Sequence, residues 1–365
     1  MDLNDLPTPC LVLDRTILAR NLRSMAACVG RLGVPLRPHM KTAKSIDVAR
    51  MALQGQPGGI TVSTLAEAEY FLGHGITDML YAVGITPQKL DQVVKLNASG
   101  ARIIVITDDP DMAAFIGSHP APPRTLIEID SGEERGGVSI LPDRLLELAD
   151  RLGSCLAGVM THAGHSYSGR SVAEIETIAQ TERDSVVAAA DILRAAGHDI
   201  SIVSAGSSPT ARHAENFSKV TELRAGVYMF GDLFQAEIET HGADAIAVTV
   251  LASVIGRRPG RLLVDAGGLA LSKDRSTEAT RHDYGFGLVL DVDGRNSLGR
   301  AIVRKAYQEH GVIELDARYP IDLPVGARLR IAPNHVCMTA AAHDRYFVVE
   351  GEREVTAIWP RVNGW

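Results

Sequence analysis

Five short stretches of this 365-residue chain carry side chains able to do chemistry. The first is Arg37-Pro38-His39-Met40-Lys41-Thr42-Ala43-Lys44. A lone lysine in a loop is usually a solvated surface residue, since lysine is rarely buried. In a partly desolvated pocket near other cations its pKa falls, and it then forms a Schiff base with an aldehyde. Lys41 and Lys44 compete for that role, and Lys41 lies closer to the apolar run before it. The second stretch is Glu128–Gly137, EIDSGEERGG, where Arg135 is either part of a charged turn or a cation that stabilises an anion. The third is Thr161-His162-Ala163-Gly164-His165-Ser166-Tyr167. Imidazole titrates near neutrality, so either histidine is a candidate acid or base, and His162 is taken first. The fourth is a pair of small-residue turns, Gly206-Ser207-Ser208 and Gly226-Val227-Tyr228. Such turns let backbone N–H groups approach a dianion, and serine hydroxyls add donors. The last is Pro333-Asn334-His335-Val336-Cys337. In an extended segment His335 and Cys337 would point the same way and share one metal, and imidazole plus thiolate suits Zn2+. A buried cysteine near a satisfied histidine is the commoner case. Gln308–Gly311 and His282–Tyr284 are further polar clusters.

The elements that must position these residues alternate. The runs Val34–His39, Gly59–Ser63, Asp78–Val83, Arg102–Thr107, Arg124–Ile129, Leu156–His162, Ile200–Ala205 and Glu222–Phe230 read as strands with helical spacers. Strand–helix alternation over eight such runs predicts an α/β architecture, an N-terminal (β/α)8 TIM-type barrel. Their near-continuous apolar character suits strands buried on both faces. Catalytic groups on such barrels sit just after strands, and phosphate sites after strands seven and eight, where the two small-residue turns fall. After residue 240 the pattern changes. Val248–Val254, Arg261–Val264, Phe286–Leu290, Ala306–Gln308, Gly311–Glu314, Arg328–Ile331, Arg345–Val349 and Glu354–Ile358 predict a C-terminal, mostly antiparallel β domain. The expected division is a barrel over 14–240 and a β domain over 241–365, with residues 1–13 joining it through a strand at Thr8–Leu13.

Composition narrows the function classes. A net charge of −7 argues against nucleic acid and against an anionic membrane surface. No apolar run approaches the ~18 residues of a membrane span. The start, MDLNDLPTPC, does not read as a secretory signal, and the scattered Cys10, Cys28, Cys155 and Cys337 show no paired spacing. A cytoplasmic location is the expectation.

In order, RPHMKT, EIDSGEERGGV, THAGHSY, SAGSSPT, ELRAGVYMFGD, QEHG and PNHVC resemble the D-serine dehydratase / D-threonine aldolase family of fold-type III pyridoxal-phosphate enzymes. The resemblance runs from TPCLVLD at residue 8 to the final tryptophan. It implies a homodimer with pyridoxal 5'-phosphate held by Lys41 as a Schiff base and Arg135 near the ring oxygen. Tyr167 would be a cofactor-side residue, and Gly206, Ser207, Ser208, Gly226 and Tyr228 would bind phosphate. His335 and Cys337 would hold a divalent metal, Zn2+ before Mn2+ or Co2+. Ala43 departs from the family, where histidine is frequent. The small-molecule substrate implied is a D-3-hydroxy amino acid. The family's dehydratases tend to carry cysteine as second metal ligand and its aldolases aspartate, so Cys337 favours dehydration to a 2-oxo acid and ammonia. The alternatives are an aldolase, with His162 as base and glycine as product, a racemase, and a non-catalytic cofactor carrier. Carriers lack the second domain.

Overall fold

The structure, a computed structural model, describes residues 1–316, 318 and 321–365. The chain divides into two compact units, Ser24–Gly226 with Val362–Trp365, and Met1–Arg23 with Val227–Arg361.

Among the described residues the first unit holds an eight-stranded parallel sheet. Its strands are Leu36–Pro38, Ile60–Val62, Asp78–Gly84, Arg102–Thr107, Thr125–Ile129, Leu156–Thr161, Ile202–Ala205 and Glu222–Ala225, and consecutive strands pair except the first and second. The last strand pairs with the first, Leu36 opposite Leu223. A bridge from His39 to Thr61, with the Met40 N–H donating to the Thr61 carbonyl at 2.8 Å, brings the first strand to the second. The sheet is thus nearly closed into the expected barrel. The run read as Glu222–Phe230 is a strand only to Ala225, and Val227–Met229 is a 3-10 turn. Apolar side chains of Leu80, Ile104, Ile106, Leu126, Ala157 and Met160 pack into one cluster. Cutting one of the leucines, isoleucines or the methionine to alanine costs about 2–5 kcal/mol, because the cavity refills poorly. The helices start where local chemistry tells them to. Pro87, Pro110 and Pro142 occupy first turns, and Thr64, Asp109 and Ser171 accept from N–H groups that the helix leaves unpaired.

The second unit is built on a nine-stranded sheet among the described residues. Val248–Arg258 is the long central strand, and it pairs with Arg261–Val264 as well as with Arg328–Ala332. Because Arg261–Val264 continues through Gly311–Glu314, Ser297–Ala306 and Leu288–Leu290 back to Arg328–Ala332, these six strands close an antiparallel barrel. Cys10–Asp14 adds to its flank, antiparallel to Val248–Leu251 and parallel to Tyr346–Val349, so the N-terminal strand belongs to this sheet. Two expectations need correcting. The strand read at Ala306–Gln308 runs over Ser297–Ala306, and the one read at Glu354–Ile358 lies at Ala357–Pro360. Among the described residues no helix is long and apolar enough to cross a membrane.

Candidate active site

The two lysines of the first stretch have different surroundings. Lys44 has φ 49 and its ammonium lies 3.1 Å from Glu67 Oε1. Glu67 is fully buried and is also used by the Ser63 N–H, so this pair ties the turn to the helix Leu65–Gly73. Lys41 is exposed, and among the described residues its ammonium makes no ion pair. It is therefore the amine of this turn that is not committed to structure.

Two imidazoles lie within electrostatic reach of Lys41. Burial, the Lys41 ammonium and the Arg224 guanidinium hold His39 well below the usual histidine range. Burial and the Lys41 ammonium push His162 down to about 3. Both rings are neutral at working pH. His162 Nδ1 stands 3.0 Å from the Gly206 carbonyl, which only accepts, so Nδ1 carries the proton and Nε2 keeps its lone pair.

The loops that carry these groups are cross-tied. Asp130 Oδ1 accepts from the N–H groups of Gly132, Glu133 and Glu134, which folds the EIDSGEE turn back on itself. Glu133 then accepts from the Gly164 N–H at 3.2 Å and pairs with Arg135 at 3.3 Å. Arg135 itself is exposed. Ser166 and Ser207 share a hydroxyl hydrogen bond at 2.9 Å, linking the turns after strands six and seven. Tyr167 lies in the 3-10 turn Gly164–Ser168, and its carbonyl accepts from Arg170. Ser207 caps the helix Ser208–His213 reciprocally with Thr210, and Ser208 is fully buried. Gly206 has φ 118, and a Cβ there would stand 2.6 Å from the Arg224 carbonyl. At Gly226 a Cβ would stand 2.8 Å from the His39 carbonyl. Both turns exclude side chains, as a cradle for a phosphate requires, and with the uncommitted amine of Lys41 they fit pyridoxal phosphate. Tyr228 is buried in the other unit, its phenol pushed up by burial.

The metal pair has a different geometry from the expected one. Val336–Ala340 is a short helix with His335 as its N-cap, so the alternation of an extended strand does not bring His335 and Cys337 together. His335 stands at the N-cap, outside the helical backbone geometry, and Cys337 lies in the first turn. His335 Nδ1 lies 3.5 Å from Asp274 Oδ2. Burial alone would lower His335, but hydrogen bonds with Asp274 and Cys337 push it up to about 11. Burial works against ionisation of Asp274 too, yet hydrogen bonds with His335 and Ser276 hold it at about 2. Among the described residues no group of three or more His, Cys, Asp or Glu side chains is arranged to hold a metal. A metal on imidazole and thiolate alone would keep positions for water or substrate.

Comparison with known proteins decides the family. The model for the alanine racemase N-terminal domain matches residues 13–233, and that for the serine dehydratase domain matches residues 247–349. The chain belongs to the alanine-racemase-like D-serine dehydratase family. Membership implies a pyridoxal-phosphate cofactor. The chain is 40% identical to D-threo-3-hydroxyaspartate dehydratase of Delftia sp. (strain HT23), over 99% of this chain and 98% of that protein. It is 30% identical to 3-hydroxy-D-aspartate aldolase of Paracoccus denitrificans (strain Pd 1222), over 99% and 92%. A cysteine-to-alanine mutant of D-threo-3-hydroxyaspartate dehydratase, solved in a metal-free form, superposes with a TM-score of 0.95 at 38% identity and full coverage of both chains.

Within the barrel unit of this family member, His162, Gly206 and Ser207 are brought together, and Arg135 pairs with Glu133 and lies within electrostatic reach of His162. Three participants were not singled out from sequence. His39 follows the first strand directly. Arg224 is buried on the eighth strand, donating to Ser204 and to the Thr161 carbonyl. Asp274 lies sixty-one residues before His335 in the chain, and nothing local announced it.

Proposed function

We propose that this chain is a pyridoxal-phosphate- and metal-dependent dehydratase of D-3-hydroxy amino acids. Its substrates would be of the class of D-threo-3-hydroxyaspartate, D-serine or D-threonine, and its products a 2-oxo acid and ammonia. The observation that carries this reading is the pairing of an imidazole with a thiol, His335 at the N-cap of the helix Val336–Ala340 and Cys337 in its first turn. A nitrogen–sulfur pair suits Zn2+, with Mn2+ or Co2+ less well matched to thiolate. The 40% identity to a dehydratase over 99% of the chain supports the same choice.

When bound, pyridoxal phosphate supplies an electron sink for charge left at the α-carbon, and the metal supplies a Lewis acid for the β-oxygen. The protein's own residues do the rest. Lys41 Nζ would be the attachment point for the cofactor and the base for the α-proton. His39 and His162, held neutral, add no charge beside that amine and compete weakly for its proton. The Gly206–Ser208 turn, Gly226 and Tyr228 would hold the phosphate, Arg135 would offer a cation to the ring oxygen, and Tyr167 would be a cofactor-side residue. Asp274 orients His335 through Nδ1, as carboxylates behind metal-bound histidines do. The family reading also carries a homodimer.

The test is product analysis on protein reconstituted with cofactor and Zn2+. With D-threo-3-hydroxyaspartate, D-serine and D-threonine, ammonia and 2-oxo acid are expected in equal amounts without glycine. Glycine with an aldehyde would replace this reading by the aldolase.

A further inference from the structure

The helix Val172–Ala195 turns Ile175, Ala179, Glu182, Val186 and Ala190 inward at spacings of three or four residues. Four of these are apolar and one is a carboxylic acid with no exposure at all. A carboxyl in that position is costly unless donors meet it. Its Oε1 accepts from two backbone N–H groups, Ala163 at 2.9 Å and Gly206 at 2.9 Å. Both lie just past the ends of strands Leu156–Thr161 and Ile202–Ala205, where the sheet ladder no longer supplies acceptors. Ala163 follows His162, Gly206 precedes Ser207, and the Gly206 carbonyl accepts from the His162 Nδ1–H at 3.0 Å. One carboxylate oxygen therefore closes a ring through two strand ends, an imidazole and the small-residue turn. Gly206, at φ 118, sits in a conformation that needs holding.

We propose that Glu182 is a positioning residue of the barrel mouth. As a two-fold hydrogen-bond acceptor rather than as a charge, it fixes the His162 tautomer and the Gly206–Ser207 turn that receives the cofactor phosphate. This rests on the cofactor reading above. The acceptor role, not the charge, follows from the other oxygen: Oε2 is buried and has no hydrogen-bond partner among the described residues. Burial also pushes the carboxyl toward its neutral form. A carbonyl oxygen at the Oε1 position would therefore serve as well.

The experiment compares Glu182→Gln, Glu182→Ala and Ala163→Pro in the full chain. Ala163 has φ −82, which proline adopts, so that variant removes one donor and leaves Glu182 intact. Two quantities are read: the dissociation constant for pyridoxal phosphate, by absorbance titration of apoenzyme, and the protonated nitrogen of His162, by 15N NMR of labelled imidazole. E182A should weaken cofactor binding about 10- to 100-fold, the usual loss when a group supporting a binding residue is removed, and should mix the His162 tautomers. E182Q should bind within about 3-fold of the parent on the same scale and keep the Nδ1 proton. A163P should fall between them, and it decides the matter if E182A does not fold. Parent-like cofactor affinity and His162 signal in E182A, with only a lower melting temperature, would overturn the proposal. So would a Glu182→Gln protein as impaired as E182A. If the parent chain itself gains no cofactor absorbance at Lys41, the functional reading fails, and the His162 signal still tests the role of Glu182.

Discussion

The barrel mouth and the proposed metal pair, His335 and Cys337, hold their side chains by opposite means. At the mouth, groups come from the ends of strands one, five, six, seven and eight, and side chains stitch those ends together: Asp130 within its turn, Glu133 to Gly164, Ser166 to Ser207 and Glu182 to both Ala163 and Gly206. The metal pair stands on one five-residue helix, with Asp274 as the carboxylate behind His335. A site stitched from many elements loses function by degrees when a support goes. A site resting on two neighbouring residues is lost when either goes. The exception at the mouth is Lys41, which has no substitute.

The largest effect expected is therefore at Lys41. Lys41→Ala should abolish the visible absorbance of bound cofactor and lower turnover about 10^4-fold or more, since attachment and proton transfer are lost together. Lys44→Ala should keep the absorbance. It should instead destabilise the fold by about 3–5 kcal/mol in a denaturant titration, because Glu67 is left buried without its partner. If Lys44→Ala removes the colour and Lys41→Ala does not, the assignment of the two lysines is reversed.

Next comes the metal pair. Cys337→Ala should strip the bound metal, read by elemental analysis after dialysis, and cost about 10^2- to 10^3-fold in turnover, the range that several kcal/mol of Lewis-acid assistance represents. Cys337→Asp keeps a ligand but hardens it, and should raise the share of glycine among the products. Asp274→Asn leaves both ligands in place and should weaken metal affinity only about 10- to 100-fold. An Asp274→Asn protein with unchanged affinity would remove Asp274 from the site.

The smallest effect is on acid stability of the cofactor-free protein. Unfolded, His162 takes a proton near pH 6.5, but folded only near 3. Between those values the unfolded chain binds more protons, so stability falls as pH drops through that window. His162→Asn should flatten this part of the melting-temperature profile by several degrees, on a scale of about 2–4 °C per kcal/mol. An unaltered profile would mean that His162 is not held neutral by its surroundings.

Much of the architecture could be read from spacing. Eight apolar runs with helical spacers announced a parallel barrel because such strands are buried on both faces. The strand Ser297–Ala306 escaped because Arg300, Arg304 and Lys305 interrupt it and only Ala301, Val303 and Ala306 are buried. The helix after His335 escaped for a non-local reason. His335 makes no side-chain cap, and the Val336 N–H is instead taken by Asp232 Oδ2, more than a hundred residues earlier in the chain. Without a local cap, Val336 and Cys337 read as a strand. Glu182 could have been found, since a charge on the apolar stripe of an amphipathic helix is a visible conflict. Lys44 could not be set aside from sequence, because Glu67 is brought to it by the fold alone.

The N-terminal strand has a consequence for how the chain is made. Cys10 pairs with Leu251 and Leu11 with Tyr346, so this segment waits for more than 300 further residues before both its partners exist. At roughly 5–20 residues per second that wait is on the order of twenty to seventy seconds. Ser24–Gly226, by contrast, is complete within itself apart from the last four residues. During synthesis the barrel can mature while an apolar strand, Cys-Leu-Val-Leu, trails in front of it unpaired. That interval, rather than the finished protein, is when this chain is most exposed to aggregation and most in need of a chaperone.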